Sequence, residues 1–404
     1  MKIGYFSDTY RPHKNGVATA LSIQKKNFEE EGHELHLFIP YIPNSLQEKN
    51  VYKLPSITFP FQKEHRIAVP LSLKYDLLLN KIDLKIIHTH TPFSLGIFGW
   101  YEARKRKIPL VHTYHTLFTE YAYYIWDHFS GFIKKHLITE KEAKDIAIWM
   151  SKTYCNLCDL IIAPSTKVKK LLIDFGVKSP IEILPNGLDI RDFKPIDKNL
   201  AREKLNLPKD AMILLFVGRL GKEKNIEYLL KVEKWLKLNT SYPIYLVIVG
   251  DNPDKRVLEG LRKEAEELDI EDRVKFTGYL EYEDIANAYF ASDIFVFSSL
   301  TETQGLVVLE ALTTGLPVIA LQDEAIGDFV GDKYNGFLIP HSPYKIEESI
   351  YEFGRKIIEL INNKELYFTL SENAIKSAKD YSVQEINRKL LSIYERLIWD
   401  YNKY

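Results

Sequence analysis

Short apolar runs alternate with longer amphipathic stretches along the whole of this chain. The runs at 2–6, 33–39, 86–90, 110–114, 160–163 and 181–184 read as buried parallel strands, as do those at 213–217, 245–249, 274–276, 294–297 and 317–320. Between them, 17–31, 225–239, 254–268 and 310–314 carry helical patterns. Strands that alternate with helices imply right-handed crossovers and parallel sheets covered on both faces. The periodicity breaks at 185–195, PNGLDIRDFKP, where two prolines and an Asn-Gly interrupt it. That break predicts an α/β protein of two doubly wound domains, 1–190 and 191–382. The final stretch, 383–404, is helical with Ile386, Leu390, Ile393, Leu397 and Trp399 among its apolar positions. No strand follows it, so it is expected to pack back across the first domain. Domains of this kind bind ligands at the C-terminal ends of their strands, in a cleft where two such domains face one another.

Composition narrows the class. A length of 404 residues suits two or three domains. Charged residues at 27% and aromatics at 13% exclude intrinsic disorder and a disulfide scaffold. Two cysteines imply a reducing compartment. The opening MKIGYFSDTY is too short an apolar run for a signal peptide, and no uninterrupted apolar run is long enough to span a bilayer. These counts lead to the expectation of a cytoplasmic protein, with attachment to a membrane surface left open. The formal charge of −1 argues against a nucleic-acid partner. It is unevenly spread: residues 1–195 hold 27 basic against 20 acidic side chains, a net of +7, and the remainder 27 against 35, a net of −8.

Four segments carry candidate chemistry. Thr301-Glu302-Thr303-Gln304-Gly305-Leu306 leads from a strand into a helix that contains Glu310. Amides at a helix start, around Gln304, Gly305 and Leu306, make an anion site, and flanking carboxylates can accept hydrogen bonds from sugar hydroxyls. A capped helix with two solvated glutamates explains the same spacing. Gly218-Arg219-Leu220-Gly221-Lys222-Glu223-Lys224-Asn225 follows the first strand of the second half. An Arg fork and a Lys point charge there could hold a diphosphate, or form an ordinary charged loop. Asn15-Gly16 follows the first strand of all, where glycine lets a backbone approach a phosphate. His115 closes Val111-His112-Thr113-Tyr114-His115 at a strand tip, where imidazole can meet a substrate. His88 and His90 raise the question of a metal, but carboxylate or cysteine partners at ligand spacing are missing nearby. Cys155-x-x-Cys158 precedes a strand instead of opening a helix, which favours two buried thiols over a redox pair. The chain also lacks Asp-x-Asp, so phosphates would be neutralised by Arg219, Lys224 and helix amides without a metal.

Together, the glycine loop, G-R-x-x-x-E-K-N, E-x7-E and the returning helix resemble the retaining glycosyltransferases of the GT-B fold, family 4. The resemblance implies two Rossmann-like domains: an acceptor-binding one (1–190 with 383–404) and one binding a nucleotide-sugar donor (191–382). It implies that Arg219 and Lys224 bind the donor diphosphate, that Glu310 binds the ribose and that Glu302 meets the donor sugar. Gly16 then touches the distal phosphate and His115 lies beside the transferred sugar. No cofactor or metal is implied. The runs SDTYRPHKNGVAT, VHTYHTLFTEY and TETQGL further resemble bacterial diacylglycerol α-glucosyltransferases, which use UDP-glucose and a lipid acceptor. That implies a peripheral enzyme on the inner face of the cell membrane, its basic domain against anionic lipid. Phe59, Phe61, Lys63 and Arg66 in a Pro-interrupted loop, and Trp126, Lys134 and Lys135 in an aromatic-basic stretch, are the candidate contacts. Rival readings are the same fold acting on a polysaccharide, glycolipid or polyol, with GDP-mannose as an alternative donor. A nicotinamide-dependent dehydrogenase lacks its G-x-G-x-x-G here, and a catalytically dead relative would not need Arg219, Lys224, Glu302 and Glu310.

Overall fold

The computed structural model describes residues 1–13, 15–43, 45, 47–58, 66–69, 73–115 and 139–403. They form two compact units, Met1–Gly187 with Val383–Tyr404, and Leu188–Ser382. In the first, seven parallel strands lie in the order β3-β2-β1-β6-β7-β8-β9: β1 is Lys2–Phe6, β2 Glu34–Pro40, β3 Val51–Leu54, β6 Ile86–Thr89, β7 Leu110–Thr113, β8 Leu160–Ala163 and β9 Ile181–Ile183. Alternate side chains go to opposite faces. Ile3, Tyr5, Leu35, Leu37, Ile86, Val111, Leu160 and Ile162 fill one core, and Phe6, Phe38, Ile87, Leu110 and Ile161 fill the other. Burial on both sides is why these strands read as unbroken apolar runs.

The helix Val383–Tyr401 belongs to the first of those cores, through Ile386, Leu390, Ile393 and Tyr394. Trp399, counted above among its apolar positions, is 64% exposed on the solvent side. A two-stranded antiparallel pair, β4 (Ser56–Thr58) and β5 (Arg66–Ala68), stands where the sequence suggested only a loop. Arg66 is tied into it, donating from Nε to Ser56 Oγ at 2.8 Å.

The second unit has six parallel strands in the order β12-β11-β10-β13-β14-β15, with β10 Met212–Val217, β11 Ile244–Val249, β12 Val274–Gly278, β13 Ile294–Phe297, β14 Val318–Leu321 and β15 Gly336–Ile339. The order reverses between β10 and β13, as it does between β1 and β6 in the first unit. Each reversal opens a crevice beyond the strand ends, where the loops that follow diverge. The edge strand β15 was not foreseen, because a four-residue run after Asn335 reads equally as a loop.

Candidate functional site

In the second unit the two loops that leave the switch point are joined by side chains. After β10 the chain makes a 3-10 turn, Lys222–Lys224, and Asn225 takes a left-handed conformation (φ 52°) before the helix Ile226–Asn239 begins. After β13 it passes Glu302 and reaches Gly305 (φ 79°), which opens the helix Leu306–Thr313. A side chain at Gly305 would meet both that positive φ and Ile326 Cδ1 at 2.6 Å, so the turn requires glycine. Lys224 Nζ pairs with Glu302 Oε1 at 2.5 Å and bridges the loops. Ser298 Oγ donates to the Lys224 carbonyl (2.8 Å), and Leu300 N donates to the Glu223 carbonyl (2.9 Å). Arg219, about half exposed, pairs with Glu223 at 2.5 Å. Arg219, Lys224 and Glu302 therefore meet around one loop crossing, with Gln304 buried beside it.

Glu310 lies one turn inside the helix that Gly305 opens. Tyr289, on the helix Tyr282–Ala291, donates to its Oε2 at 2.6 Å. Burial pushes this carboxyl up to about 7, and the Tyr289 hydrogen bond partly opposes that. Near neutral pH it is thus poised between acid and carboxylate.

Gly16 and His115 belong to the first unit. Asn15 caps the helix Gly16–Glu30, its Oδ1 accepting from Ala18 N at 2.9 Å. A Cβ at Gly16 would meet no protein atom within 4 Å, and its φ is not left-handed, so the fold itself does not require glycine there. His115 follows β7 by two residues and shares a 3.0 Å hydrogen bond with His90. Burial lowers its pKa to about 4, so the ring is neutral near pH 7. Cys155 and Cys158 are buried free thiols, and burial pushes Cys155 up to about 12. Of the proposed membrane contacts, Phe59, Phe61, Lys63, Trp126, Lys134 and Lys135 lie outside the described residues. Among the described residues no His, Cys, Asp and Glu groups of three or more are arranged to hold a metal ion, and no helix is long and apolar enough to cross a membrane.

Four contacts of this region were not foreseen from the sequence, although His90 was already named there as a possible metal ligand. Asp8 accepts from Thr91 Oγ1 (2.6 Å), from Leu95 N (3.2 Å) and from Ser94 Oγ, which holds the start of the helix Ser94–Arg106 against the loop after β1. Gly250 lies so close to the Gly218 carbonyl that a Cβ would sit 1.8 Å from it. Tyr289 and His90 complete the set. Each acts across tens of residues, and no local spacing marks such a contact.

The model for glycosyltransferase family 4 matches residues 14–192, and that for glycosyl transferases group 1 matches residues 197–377. This chain is a family 4 glycosyltransferase of the GT-B fold. An alpha-monoglucosyldiacylglycerol synthase of Streptococcus pneumoniae is 34% identical over 345 residues, 84% of this chain and 75% of that protein. One of the same name from Acholeplasma laidlawii is 30% identical over 415 residues, 100% of this glycosyltransferase and 99% of its relative. Among solved structures, Anabaena Alr3699/HepE in complex with UDP superposes with a TM-score of 0.76 at 20% identity, over 98% of this chain and 100% of that one. At that identity the likeness concerns the fold.

Proposed function

We propose that this glycosyltransferase moves glucose from UDP-glucose to diacylglycerol, or a related membrane lipid, with retention at the anomeric carbon and without a metal. The observation that carries the donor side is the joined pair of loops at the β10/β13 switch point, where Arg219 and Lys224 stand together with carboxylates on the same loops. Both cations already hold carboxylates there, which is the geometry a diphosphate would take over. The acceptor side rests on two relatives named for diacylglycerol glucosylation. In this reading Glu310 accepts hydrogen bonds from the ribose, Glu302 meets the sugar and the backbone at Gly16 reaches the distal phosphate.

The bond from the anomeric carbon to the donor phosphate oxygen breaks as the acceptor oxygen adds on the same face. The acceptor's proton passes to the departing phosphate oxygen. Arg219, Lys224 and the start of the helix Leu306–Thr313 stabilise the negative charge that develops there, the kind of interaction worth about 10²–10³ in turnover per donor group. The absence of Asp-x-Asp supports charge neutralisation by side chains.

The test is a matrix of UDP-glucose, UDP-galactose and GDP-mannose against diacylglycerol vesicles, polysaccharide and small polyols, with and without EDTA. Products are read by mass and the anomer by NMR coupling. The expected product is an α-glucosyl lipid from UDP-glucose, undiminished by EDTA. Transfer only from GDP-mannose, or only to a water-soluble acceptor, would sink the assignment. Arg219→Ala and Lys224→Ala are each expected to lower kcat/KM at least about 10²-fold. Unchanged values in both would remove the diphosphate role.

A further inference from the structure

The loop after β10 carries a carboxylate to which the donor reading gives no task. Glu223 follows Arg219 by four residues and precedes Lys224. Arg219 Nη2 donates to its Oε1 at 2.5 Å, while Lys224 pairs with Glu302. The turn that presents these groups is closely bonded. Gly221 N donates to the Arg219 carbonyl (2.8 Å), Lys224 N to the Gly221 carbonyl (2.9 Å) and Leu300 N to the Glu223 carbonyl (2.9 Å). The Glu223 carboxylate lies in the space that a side chain at Gly221 would fill. A Cβ there would sit 2.6 Å from the carboxyl carbon and closer still to both oxygens. The backbone at Gly221 is extended (φ −109°), so it is this carboxylate, and not the backbone angle, that uses the missing side chain.

The two partners differ in their surroundings. The Glu223 side chain is 18% exposed and that of Arg219 54%, so the carboxylate is held against the turn while the guanidinium reaches toward solvent. With Glu302 on Lys224, the four charges of this crossing sum to zero. A diphosphate that arrives here meets cations already neutralised, and it gains the full attraction of Arg219 only by taking the place of a carboxylate. Glu302 meets the sugar in the reading above, and Glu223 has no such contact. An ion pair as exposed as this one is weak enough to exchange. Because both partners stand on one short turn, the carboxylate is always at hand to return.

We propose that Glu223 is an internal competitor of the donor diphosphate: its carboxylate occupies Arg219 in the empty site, yields it to the diphosphate and reclaims it as the nucleoside diphosphate product departs. This inference rests on the reading of Arg219 as a diphosphate ligand. The exchange swaps one anion for another on the guanidinium, and no covalent bond is made or broken. Its effect is to hold the affinity for donor and product below what the two cations would otherwise give, which favours release of the product.

Calorimetry with UDP and GDP on the full-length protein tests it, the tighter binder serving as the probe. Glu223→Gln keeps the size of the side chain and removes its charge. It is expected to lower Kd about two- to fivefold, the range that an exposed ion pair is worth. Unchanged or weaker binding would overturn the proposal. Because the expected change is a gain, partial unfolding of the variant cannot imitate it. The same substitution in an Arg219→Ala background separates competition from a general effect of charge. There it is expected to leave Kd unchanged. An equal gain with and without Arg219 would overturn the proposal, since Glu223 would then repel the anion without engaging the guanidinium. Arg219→Ala by itself is expected to weaken binding. No change in that variant would remove the diphosphate role of Arg219 and the competition with it, whereas weaker binding there without a gain in Glu223→Gln would overturn the competition alone.

Discussion

The Glu310 carboxyl changes charge within the ordinary working range of pH, because burial raises it to about 7 while Tyr289 holds it part of the way back. Ribose hydroxyls donate hydrogen bonds, so they favour the ionised form. Donor affinity is therefore expected to rise with pH through neutrality, and donor binding to release a proton. Calorimetry of UDP binding on either side of neutral pH checks this. Glu310→Gln should flatten the dependence, and Tyr289→Phe, which removes the lowering influence, should move it to higher pH. Gly16 makes a cleaner contrast. Because no neighbour and no backbone angle requires glycine there, Gly16→Ala is expected to leave Tm unchanged and to raise donor KM. An equal fall in Tm would show a structural role and remove the phosphate contact.

Most elements that were legible in the sequence are buried on both faces, and the half-buried edge strands β9 and β12 were legible as well. β1, β2, β10 and β13 come out of their apolar runs because a central parallel strand has no polar side to dilute the signal. β3, the β4–β5 pair and β15 did not, since three or four residues with mixed side chains carry too few apolar positions to tell strand from loop. The same division holds for the site. The candidates Arg219, Lys224 and Glu302 stand in the loops that follow β10 and β13, and Glu310 in the helix that the second loop opens, so compact motifs mark them. Asp8 has no such mark, because its partners lie more than eighty residues away and are set only by the pairing of β1 with β6. Its carboxyl is raised by burial and satisfied by the helix it caps. Asp8→Ala is expected to destabilise the first unit by about 1–2 kcal/mol through loss of that cap. A denaturant series following the midpoint would show it, and no change would mean that the start of Ser94–Arg106 is held by other groups.

For the molecule as a whole, a formal charge of −1 conceals a basic N-terminal portion and an acidic remainder. If the acceptor is a membrane lipid, that polarity predicts flotation with anionic vesicles, weakened by salt and absent with neutral vesicles. Reversing the charge of Lys134 and Lys135 should reduce both flotation and lipid turnover. Flotation that is indifferent to lipid charge would count against an electrostatic attachment. The returning helix Val383–Tyr401 has a different kind of consequence. Its Tyr394 hydroxyl reaches His88 and Tyr5, and its Ile386 and Leu390 complete a core whose other members begin at Ile3. The segment that finishes the first unit is therefore synthesised after the entire second unit. On the ribosome, the part begun first is completed last, and Leu188–Ser382 can fold while its predecessor still waits with an open seam, a natural point of engagement for chaperones.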